Sequence, residues 1–282
     1  MSIFAENLLK GKTVLITGGA TGLGKAMAVA FGNLGAKIGI VSRKKENLES
    51  TTAALSTMGI EIDYQVCDVR DPSQISESVS KLEESLGPIN VLVNNAAGNF
   101  ISRTEQLSPK AFDTVIGIVL QGSSYFSLEM GKRWINSGIH ATILNIVATY
   151  AWTGSAYVVP SAVSKAGVLA LTQSLAVEWG PKGIRSVAIA PGPMPTEGAW
   201  KNLIPDTSFE NIMKARNPML RLGEPSELAH LAAFLISDAA SYINGEVVTI
   251  DGGEWLKGAG QFNMLSEMPD SLWDAMKSRR GK

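Results

Sequence analysis

The sequence holds few of the residues from which metal centres and nucleophilic triads are built. Its 282 residues include one cysteine, Cys67, and two histidines, His140 and His230. A single cysteine excludes an intrachain disulfide and a cysteine-based zinc site. With two histidines, the sequence offers few candidate residues for a metal centre or a Ser-His-Asp triad. We therefore predict no metal site, a buried Cys67 that acts as a small hydrophobic residue, and two structural or surface histidines.

Strong charge and long apolar runs are also missing. The formal net charge is −1, which argues against electrostatic binding of nucleic acid. No apolar run is long enough to span a membrane. Residues 1–12 (MSIFAENLLKGK) lack the Arg/Ser-rich pattern of a transit peptide, and the final SRRGK is not a peroxisomal signal. We expect a cytoplasmic protein without membrane or nucleic-acid partners, and the sequence leaves a processed organellar form open.

What the chain does contain is a regular alternation of short apolar runs and longer helical patterns. Hydrophobic residues make up 45% of it and charged residues 18%, so a substantial core can form. Continuous apolar runs are typical of strands that are covered on both faces. The predicted strands are 13–17, 37–42, 62–68, 90–95, 141–147, 185–191 and 247–251. The predicted helices are 22–34, 45–58, 72–86, 109–137, 160–180 and 225–237.

This alternation predicts the fold class. Strands that alternate with helices form right-handed βαβ units in one parallel sheet. We predict a single α/β domain over residues 1–282: a Rossmann-like, doubly wound parallel sheet of about seven strands with helices on both faces. The long stretch 193–222 between elements predicts a functional flap. Residues 254–282 are expected to form a C-terminal extension.

A glycine-rich turn, TGGATGLG (17–24), follows the first predicted strand and precedes a helix. Glycines allow a tight turn there and let backbone N–H groups approach a pyrophosphate at the helix N-terminus. Glycines mark many turns, so the position in the chain is what makes this motif specific. The expected dinucleotide contacts are Gly18, Thr21, Gly22, Leu23 and Gly24.

The end of the second strand indicates which dinucleotide binds. An acidic residue at this place favours a free 2′-hydroxyl and repels a 2′-phosphate. Here Ser42, Arg43 and Lys44 offer a hydroxyl and two positive charges instead. We predict NADPH rather than NADH; the alternative is that these are ordinary solvated basic residues.

The remaining cofactor contacts are expected at the carboxyl edge of the sheet, where open α/β sheets bind ligands. Asp68 closes the third predicted strand, where its carboxylate can accept a hydrogen bond from an adenine amino group. PGPMPT (191–196) follows the sixth strand and could cover the nicotinamide. The further predicted positions are Val69, Asn95, Ala96, Ala97, Lys165, Pro191, Gly192, Pro193 and Met194.

Taken in order, these motifs resemble the short-chain dehydrogenase/reductase superfamily over roughly residues 8–256. TGGATGLG, CDV, NNAAG, the helix of Lys165, PGPMPT and VTIDGG all occur in the family's order. The active-site pattern departs from the family's usual one. Ser161 stands where the tyrosine four residues before the lysine is expected, Ala148 replaces the usual serine, and Val119 replaces a helix asparagine.

These departures resemble one subfamily, the mitochondrial-type 2,4-dienoyl-CoA reductases. Those enzymes extend the fourth-strand motif to NNAAGNF, present here at 94–100. They also carry a tyrosine eleven residues before a serine that lies four before the lysine, as Tyr150, Ser161 and Lys165 do here. VVPSA, DGGEW and GQFN are similar too. The tyrosine would then have moved to the end of the fifth strand, at the sheet edge, rather than been lost.

The resemblance implies a reaction and four catalytic residues. Asn99 and Tyr150 would donate hydrogen bonds to the thioester oxygen of an acyl-CoA substrate. Ser161 and Lys165, one helical turn apart, would hold the nicotinamide ribose and ring. Hydride transfer from NADPH to C5 of a 2,4-dienoyl-CoA would give a dienolate. Protonation at the α-carbon would then give a trans-3-enoyl-CoA, a step in the β-oxidation of unsaturated fatty acids.

Contacts with the rest of the acyl-CoA are also carried over from the resemblance. Arg70, Phe100 and Ser108 match family positions that touch the substrate, but Phe100 could equally be a core residue and Ser108 a helix N-cap. An arginine of the family's flap aligns with Asn202, beside Lys201, which is a departure. The superfamily is mostly tetrameric, so a homotetramer built on the apolar helices 109–137 and 160–180 is expected.

Two other functions compete with this one. The first is a carbonyl or 3-oxoacyl reductase that uses Tyr157, although this residue lies eight before Lys165, too far for one helical turn. The second is a non-catalytic dinucleotide sensor, which the retained Asn99, Lys165 and glycine-rich turn disfavour.

Overall fold

Seven parallel strands form one sheet in the computed structural model, which describes residues 5–196 and 206–280. Their order across the sheet is β3-β2-β1-β4-β5-β6-β7. The strands are β1 (Thr13–Thr17), β2 (Lys37–Ser42), β3 (Ile62–Val66), β4 (Val91–Asn94), β5 (Ala141–Ile146), β6 (Ile184–Pro191) and β7 (Val247–Ile250). Because β1, β4 and β5 are buried along their whole length, both faces of the sheet centre are covered, as the apolar runs predict.

Helices cover both faces of this sheet. They are α1 (Gly22–Asn33), α2 (Lys45–Thr57), α3 (Pro72–Leu86), α4 (Pro109–Ile116), α5 (Gly122–Ser137), α6 (Tyr150–Thr153), α7 (Val159–Trp179), α8 (Thr207–Arg216), α9 (Pro225–Ile236), α10 (Glu254–Ala259) and α11 (Asp270–Arg280). Met27 and Phe31 belong to the core on one face, and Phe126, Trp134 and Trp179 to the core on the other. The predicted doubly wound α/β fold is therefore confirmed.

The topology fixes where a ligand can bind. From β1 the sheet extends one way through β2 and β3, and from β4 the other way through β5, β6 and β7. The crevice at this reversal, outside the carboxyl ends of β1 and β4, is the usual ligand site of open α/β sheets. The glycine-rich turn and the NNAAGNF segment follow β1 and β4, so both lie at this crevice.

The structure corrects several predicted boundaries. The strand β5 ends at Ile146, so the prediction that Tyr150 ends this strand is wrong; Tyr150 is the first residue of the short helix α6. The third strand ends at Val66, two residues before Asp68. The predicted helix 109–137 contains a π-helical segment, Gly117–Gln121, between α4 and α5. Such π-bulges accommodate an extra residue and are frequent at functional sites.

The predicted flap and C-terminal extension contain helices that the sequence patterns did not reveal. Helix α8 lies within 193–222, and α10 and α11 lie within 254–282. Lys201 and Asn202, to which the family comparison drew attention, lie outside the described residues. Over 5–196 and 206–280, no helix combines the length and apolar character needed to cross a bilayer.

The single cysteine is buried and the two histidines lie at the surface, as predicted. Cys67 is fully buried, and burial raises the pKa of its thiol to about 11. His140 and His230 are both exposed. Across the described ranges, no cluster of His, Cys, Asp and Glu side chains could hold a metal ion.

Candidate active site

The glycine-rich turn has the close backbone approaches that its composition predicts. Gly18 and Gly22 have φ values of +66° and +54°, in the left-handed region that favours glycine. A Cβ at Gly24 would lie 2.3 Å from the carbonyl oxygen of Gly18. Thr21, the N-cap of α1, makes no side-chain capping bond, so the first N–H groups of this 12-residue helix keep their capacity to bind an anion. Leu23 follows in the first turn and is half-buried.

The end of β4 holds this turn in place. The side-chain Nδ2 of Asn95 donates to the carbonyl oxygens of Thr17 and Gly18, at 2.9 and 3.3 Å. In return, the hydroxyl of Thr17 accepts from the backbone N–H groups of Asn95 and Ala96, at 3.0 and 2.9 Å. Asn95 and Ala96, predicted as cofactor contacts, thus also fix the shape of the cradle. Ala97, the next predicted contact, is exposed.

The end of β2 presents an unpaired hydroxyl beside two cations. The Oγ of Ser42 is buried and has no hydrogen-bond partner among the residues that the structure describes. Buried polar atoms are nearly always paired in native proteins, so this hydroxyl fits a ligand atom that it would bind. Arg43 and Lys44 follow it and are exposed. A hydroxyl and two cations together suit a phosphate group.

Two residues predicted to bind different ligands are paired with each other. Asp68 was expected to contact adenine and Arg70 to contact the acyl-CoA. The guanidinium Nη2 and Nε of Arg70 instead donate to the Asp68 carboxylate at 2.5 and 2.9 Å. These bonds, more than the nearby charge of Arg43, hold the pKa of Asp68 below its usual value. Because Asp68 and Arg70 bind each other, either predicted contact requires the ion pair to share its atoms with a ligand. Val69, between them, is buried.

Tyr150 and Ser161 meet at the centre of the predicted catalytic set. The Tyr150 hydroxyl lies 3.1 Å from the Ser161 Oγ, and either atom can be the donor. Burial raises the pKa of the Tyr150 phenol, and the hydrogen bond with Ser161 opposes this rise. Ser161 is only 2% exposed. By contrast, Tyr157 is 59% exposed, in the loop before α7.

Lys165 lies one helical turn after Ser161 on α7. Its ammonium Nζ donates to the backbone carbonyl of Ile146, the last residue of β5. Burial lowers the pKa of this amine to about 8. A donor of this kind, fixed to the end of a central strand, is suited to bind hydroxyl groups of a ligand in the crevice.

Asn99 is the predicted second donor to the substrate oxygen. Its Oδ1 accepts from the backbone N–H of Phe100 at 2.9 Å, which leaves the two hydrogens of its Nδ2 as the donors. Asn99 is half-buried in the segment after β4. The contact fixes the orientation of the amide before a ligand arrives.

Phe100 and Ser108 were predicted either to contact the substrate or to have structural roles, and the structure shows the structural role of each. Phe100 packs against the core that contains Phe126 and Trp134. Ser108 is the N-cap of α4, and its Oγ accepts from the N–H of Ala111 at 3.2 Å. Neither contact prevents these residues from meeting a substrate, so their predicted roles stay predictions.

The loop after β6 lies over the glycine-rich turn. The N–H of Gly192 donates to Ile250 of β7 at 2.9 Å, and the carbonyl of Pro193 accepts from Gly223 at 3.1 Å. Met194 is buried. The side chain of Thr196 would lie 3.4 Å from a Cβ placed on Gly22. Residues 191–196 therefore reach across the crevice, and their contact with the nicotinamide stays a prediction.

The sequence patterns missed an aromatic pair beside this site. The rings of Trp152, on α6, and Trp255, on α10, meet edge to face with their centroids 5.6 Å apart and an interplanar angle of 88°. Trp255 belongs to the DGGEW motif, but no local pattern relates this motif to the turn that contains Tyr150.

Known proteins resemble this chain over most of its length. A family model described as enoyl-(acyl carrier protein) reductase matches residues 18–254. A Caenorhabditis elegans protein described as a probable 2,4-dienoyl-CoA reductase, (3E)-enoyl-CoA-producing, is 44% identical over 96% of this chain and 88% of its own. A Bacillus subtilis protein described as a probable 2,4-dienoyl-CoA reductase, (2E)-enoyl-CoA-producing, is 46% identical over 88% of this chain and 98% of its own.

Among solved structures, a short-chain dehydrogenase from Bacillus anthracis is 45% identical to this chain and superposes with a TM-score of 0.83. The match covers 87% of this chain and 97% of the other. The resemblance that the motifs indicate is therefore confirmed over most of the sequence.

Proposed function

The chain belongs to the short-chain dehydrogenase/reductase family, and from this membership we propose that it is an NADPH-dependent 2,4-dienoyl-CoA reductase. The observation that carries the proposal is the hydrogen bond between Tyr150 and Ser161 at 3.1 Å. The phenolic hydroxyl of the site comes from α6, while the helix of Lys165 supplies a serine at the place of the usual tyrosine. Such an arrangement suits stabilisation of an enolate better than protonation of a carbonyl.

The chain's own residues would stabilise charge on the substrate. A nicotinamide dinucleotide, the cofactor of this family, supplies the hydride when it is bound. As hydride reaches C5 of a 2,4-dienoyl-CoA, negative charge moves through the conjugated system to the thioester oxygen. The phenol of Tyr150 and the Nδ2 of Asn99 would donate to that oxygen and form an oxyanion hole. Because Oδ1 of Asn99 is already bound by Phe100, its amide would need little reorganisation.

Ser161 and Lys165 would bind the cofactor and the phenol. The Ser161 Oγ can donate to the Tyr150 oxygen, which frees the phenolic hydrogen to point at the substrate. The buried ammonium of Lys165, held by the carbonyl of Ile146, has two further hydrogens for the nicotinamide ribose. We assign Tyr150 and Asn99 to charge stabilisation, and Ser161 and Lys165 to orientation of the cofactor.

The proposed preference for NADPH over NADH rests on the last residue of β2 and the two residues that follow it. The buried, unpaired hydroxyl of Ser42 and the exposed cations Arg43 and Lys44 form a site that suits a 2′-phosphate. Asp68, the acidic residue predicted beside the adenine, is already paired with Arg70, which reduces repulsion of that phosphate. The glycine-rich turn and the N-terminus of α1 would hold the pyrophosphate.

For the product we propose a trans-3-enoyl-CoA, formed by protonation of the dienolate at its α-carbon. The name of the C. elegans relative favours this product, whereas that of the B. subtilis relative indicates the 2-enoyl isomer for that protein. The proposed role is the β-oxidation of unsaturated acyl chains by a cytoplasmic enzyme. Arg70, Phe100 and Ser108 remain the proposed contacts with the acyl-CoA.

One experiment tests both the reaction and its residues. Oxidation of NADPH should be measured with 2,4-dienoyl-CoA, 2-enoyl-CoA and 3-oxoacyl-CoA substrates, and the dienoyl product should be identified by NMR. We expect turnover of the dienoyl-CoA to a trans-3-enoyl-CoA. A 2-enoyl product would contradict α-protonation, and turnover of 3-oxoacyl-CoA alone would favour the carbonyl-reductase alternative.

The same assay separates the two tyrosines. Tyr150→Phe removes one hydroxyl and should lower kcat about 100-fold or more, because the lost hydrogen bond strengthens as charge develops. Tyr157→Phe is the matched control, since its ring is largely exposed, and should change kcat less than about threefold. NADPH binding should be unaltered in both. The reverse order of effects would place the catalytic phenol at Tyr157.

A further inference from the structure

The helix that presents Tyr150 is too short to be rigid by itself. Helix α6 contains four residues, its N-cap Thr149 makes no side-chain capping bond, and it ends at Gly154 with a φ of +71°. Its closing bond is the N–H of Gly154 to the carbonyl of Tyr150, at 3.0 Å. A single helical turn has no stability of its own in water. The position of Tyr150 must therefore depend on contacts from outside α6.

Trp152 provides such a contact on the side of α6 away from Tyr150. Successive residues of a helix are rotated by about 100°, so residues two apart point to nearly opposite sides. The Trp152 ring meets the Trp255 ring edge to face, with centroids 5.6 Å apart. This geometry is the favoured one for aromatic pairs. The pair therefore packs against the side of α6 opposite Tyr150. On the other side, the Tyr150 hydroxyl is free to form its hydrogen bond with Ser161.

Trp255 is itself held by the end of the sheet. Its backbone N–H donates to the Oδ2 of Asp251 at 2.9 Å, and the Oδ1 of the same carboxylate accepts from Gly253 at 2.8 Å. Asp251 directly follows β7. The indole Nε1 of Trp255 is buried without a hydrogen-bond partner among the described residues. An unpaired buried donor costs free energy, so this part of the ring is held in place by its packing and not by a hydrogen bond within the described part of the chain.

The helix of Trp255 is also joined to the end of α8. The Oε1 of Glu254 lies 3.8 Å from the Nε of Arg216, and the Nζ of Lys257 donates to the carbonyl oxygen of Ala215 at 3.3 Å. Helix α8 belongs to the predicted flap. The segment around Trp255 thus connects the sheet, the flap helix and the turn that contains Tyr150.

We propose that Trp255 is a positioning residue for Tyr150 and acts through Trp152. The inference rests on the proposed function, since it assigns Trp255 a part in the same reaction. Displacement of a catalytic group by a fraction of an ångström lowers kcat without altering the cofactor site. Trp255→Ala should therefore lower kcat with a dienoyl-CoA about tenfold and leave the KM for NADPH unchanged. Trp255→Phe keeps an aromatic edge and should restore kcat to within about twofold.

A double-mutant cycle separates positioning from a general loss of structure. In the Tyr150→Phe background the phenol is already gone, so Trp255→Ala should cost less than about twofold in kcat. Trp152→Ala combined with Trp255→Ala should be no worse than either change alone. Trp273→Ala, on the exposed helix α11, is the matched control and should be silent. Thermal unfolding and NADPH binding establish that each variant is folded.

The remaining outcomes of these experiments would contradict either the role of Trp255 or that of Tyr150. If Trp255→Ala lowers kcat equally in the wild type and in Tyr150→Phe, Trp255 acts by another route and the inference is wrong. The inference also fails if Trp255→Ala is silent or if Trp255→Phe does not restore activity. If Tyr150→Phe itself is silent, the catalytic role of Tyr150 falls first, and the role of Trp255 falls with it.

Discussion

At the scale of single residues, burial changes the properties of several groups in the site. Burial raises the pKa of Tyr150 and lowers that of Lys165 to about 8. The Ser42 hydroxyl is buried without a partner among the described residues. At neutral pH the buried charge of Lys165 and the unpaired Ser42 hydroxyl each cost the protein stability, whereas the Tyr150 phenol does not, because burial favours its neutral form. Perturbed titratable groups that converge in a crevice are typical of functional sites.

The first prediction at this scale concerns Lys165 and stability. Its folded pKa of about 8 lies below the unfolded value of 10.5, so between these values the unfolded chain binds more protons and stability rises with pH. The penalty for the buried charge is fully present below pH 8. Lys165→Met removes it and should stabilise the ligand-free protein at pH 7 by about 2 to 3 kcal/mol.

Urea denaturation at pH 7 and at pH 10 measures this effect. The advantage of Lys165→Met should shrink markedly at the higher pH, where the wild-type lysine is increasingly neutral. Equal stability of the two proteins at pH 7 would show that the ammonium is well solvated. The variant should also lose most of its activity, because it lacks the donor to the ribose.

The second prediction at this scale concerns Arg43 and the cofactor. A charge-assisted hydrogen bond contributes about 1.5 to 3 kcal/mol, so Arg43→Ala should lower kcat/KM for NADPH about tenfold or more. The value for NADH should change little, because that cofactor lacks the 2′-phosphate. Lys37→Ala, which removes a half-buried lysine that forms an ion pair with Glu61, is the control. A wild-type preference for NADH would disprove the assignment.

At the scale of elements, close packing between helices supports the site. Gly131 of α5 faces the Trp179 ring of α7, and a Cβ on Gly131 would lie 2.3 Å from its Cη2. Helix α7 is also the helix that contains Ser161 and Lys165. The contact therefore packs α5 against the C-terminal end of α7, the helix whose first two turns contain both side chains.

The prediction at this scale compares two helical glycines. Gly131→Ala should destabilise the protein by about 1 to 3 kcal/mol, because the buried Trp179 ring must shift. Gly258→Ala, on α10 with nothing within 4 Å of its added Cβ, should instead stabilise it by up to about 1 kcal/mol. Thermal unfolding measures both. Similar effects of the two changes would mean that helix propensity, not packing, controls the first site.

At the scale of the whole molecule, the two long helices keep apolar side chains at the surface. Leu128 and Ile135 of α5 and Val163 and Val177 of α7 are exposed, Val177 by 80%. Single exposed apolar residues are ordinary, but four on the two helices for which the family resemblance predicts subunit contacts suit a subunit interface. We propose that these faces meet in a homotetramer.

The prediction at this scale concerns the molecular mass of the assembly in the wild type and in interface variants. The wild type should elute as a tetramer in size-exclusion chromatography with light scattering. Leu128→Glu combined with Val177→Glu would bury charges in the interface and should give smaller species. Met58→Glu, an exposed apolar residue at the C-cap of α2, is the control and should remain tetrameric. A monomeric wild type, or a double variant that stays tetrameric, would contradict the assigned interface.

The sequence by itself determined the features that depend on local patterns. Apolar runs fixed the seven strands and their alternation with helices, because parallel strands buried on both faces require such runs. The glycine-rich turn was predictable because glycine adopts the positive φ of Gly18 and Gly22 without the strain that a side chain would bring. Ser161 and Lys165 were placed on one helix face by their four-residue spacing. The move of the tyrosine to Tyr150 was recognisable from family resemblance alone.

Only the tertiary structure decided how distant segments meet. It places Tyr150 on a helical turn rather than at the end of β5 and brings its hydroxyl to Ser161. It pairs Trp152 with Trp255, which lie in widely separated segments of the chain. No periodicity encodes such contacts, because they depend on how helices and loops pack across the sheet edge. Residue patterns therefore determined the seven strands and the helices predicted between them, and packing determined the remaining helices and which side chains share a site.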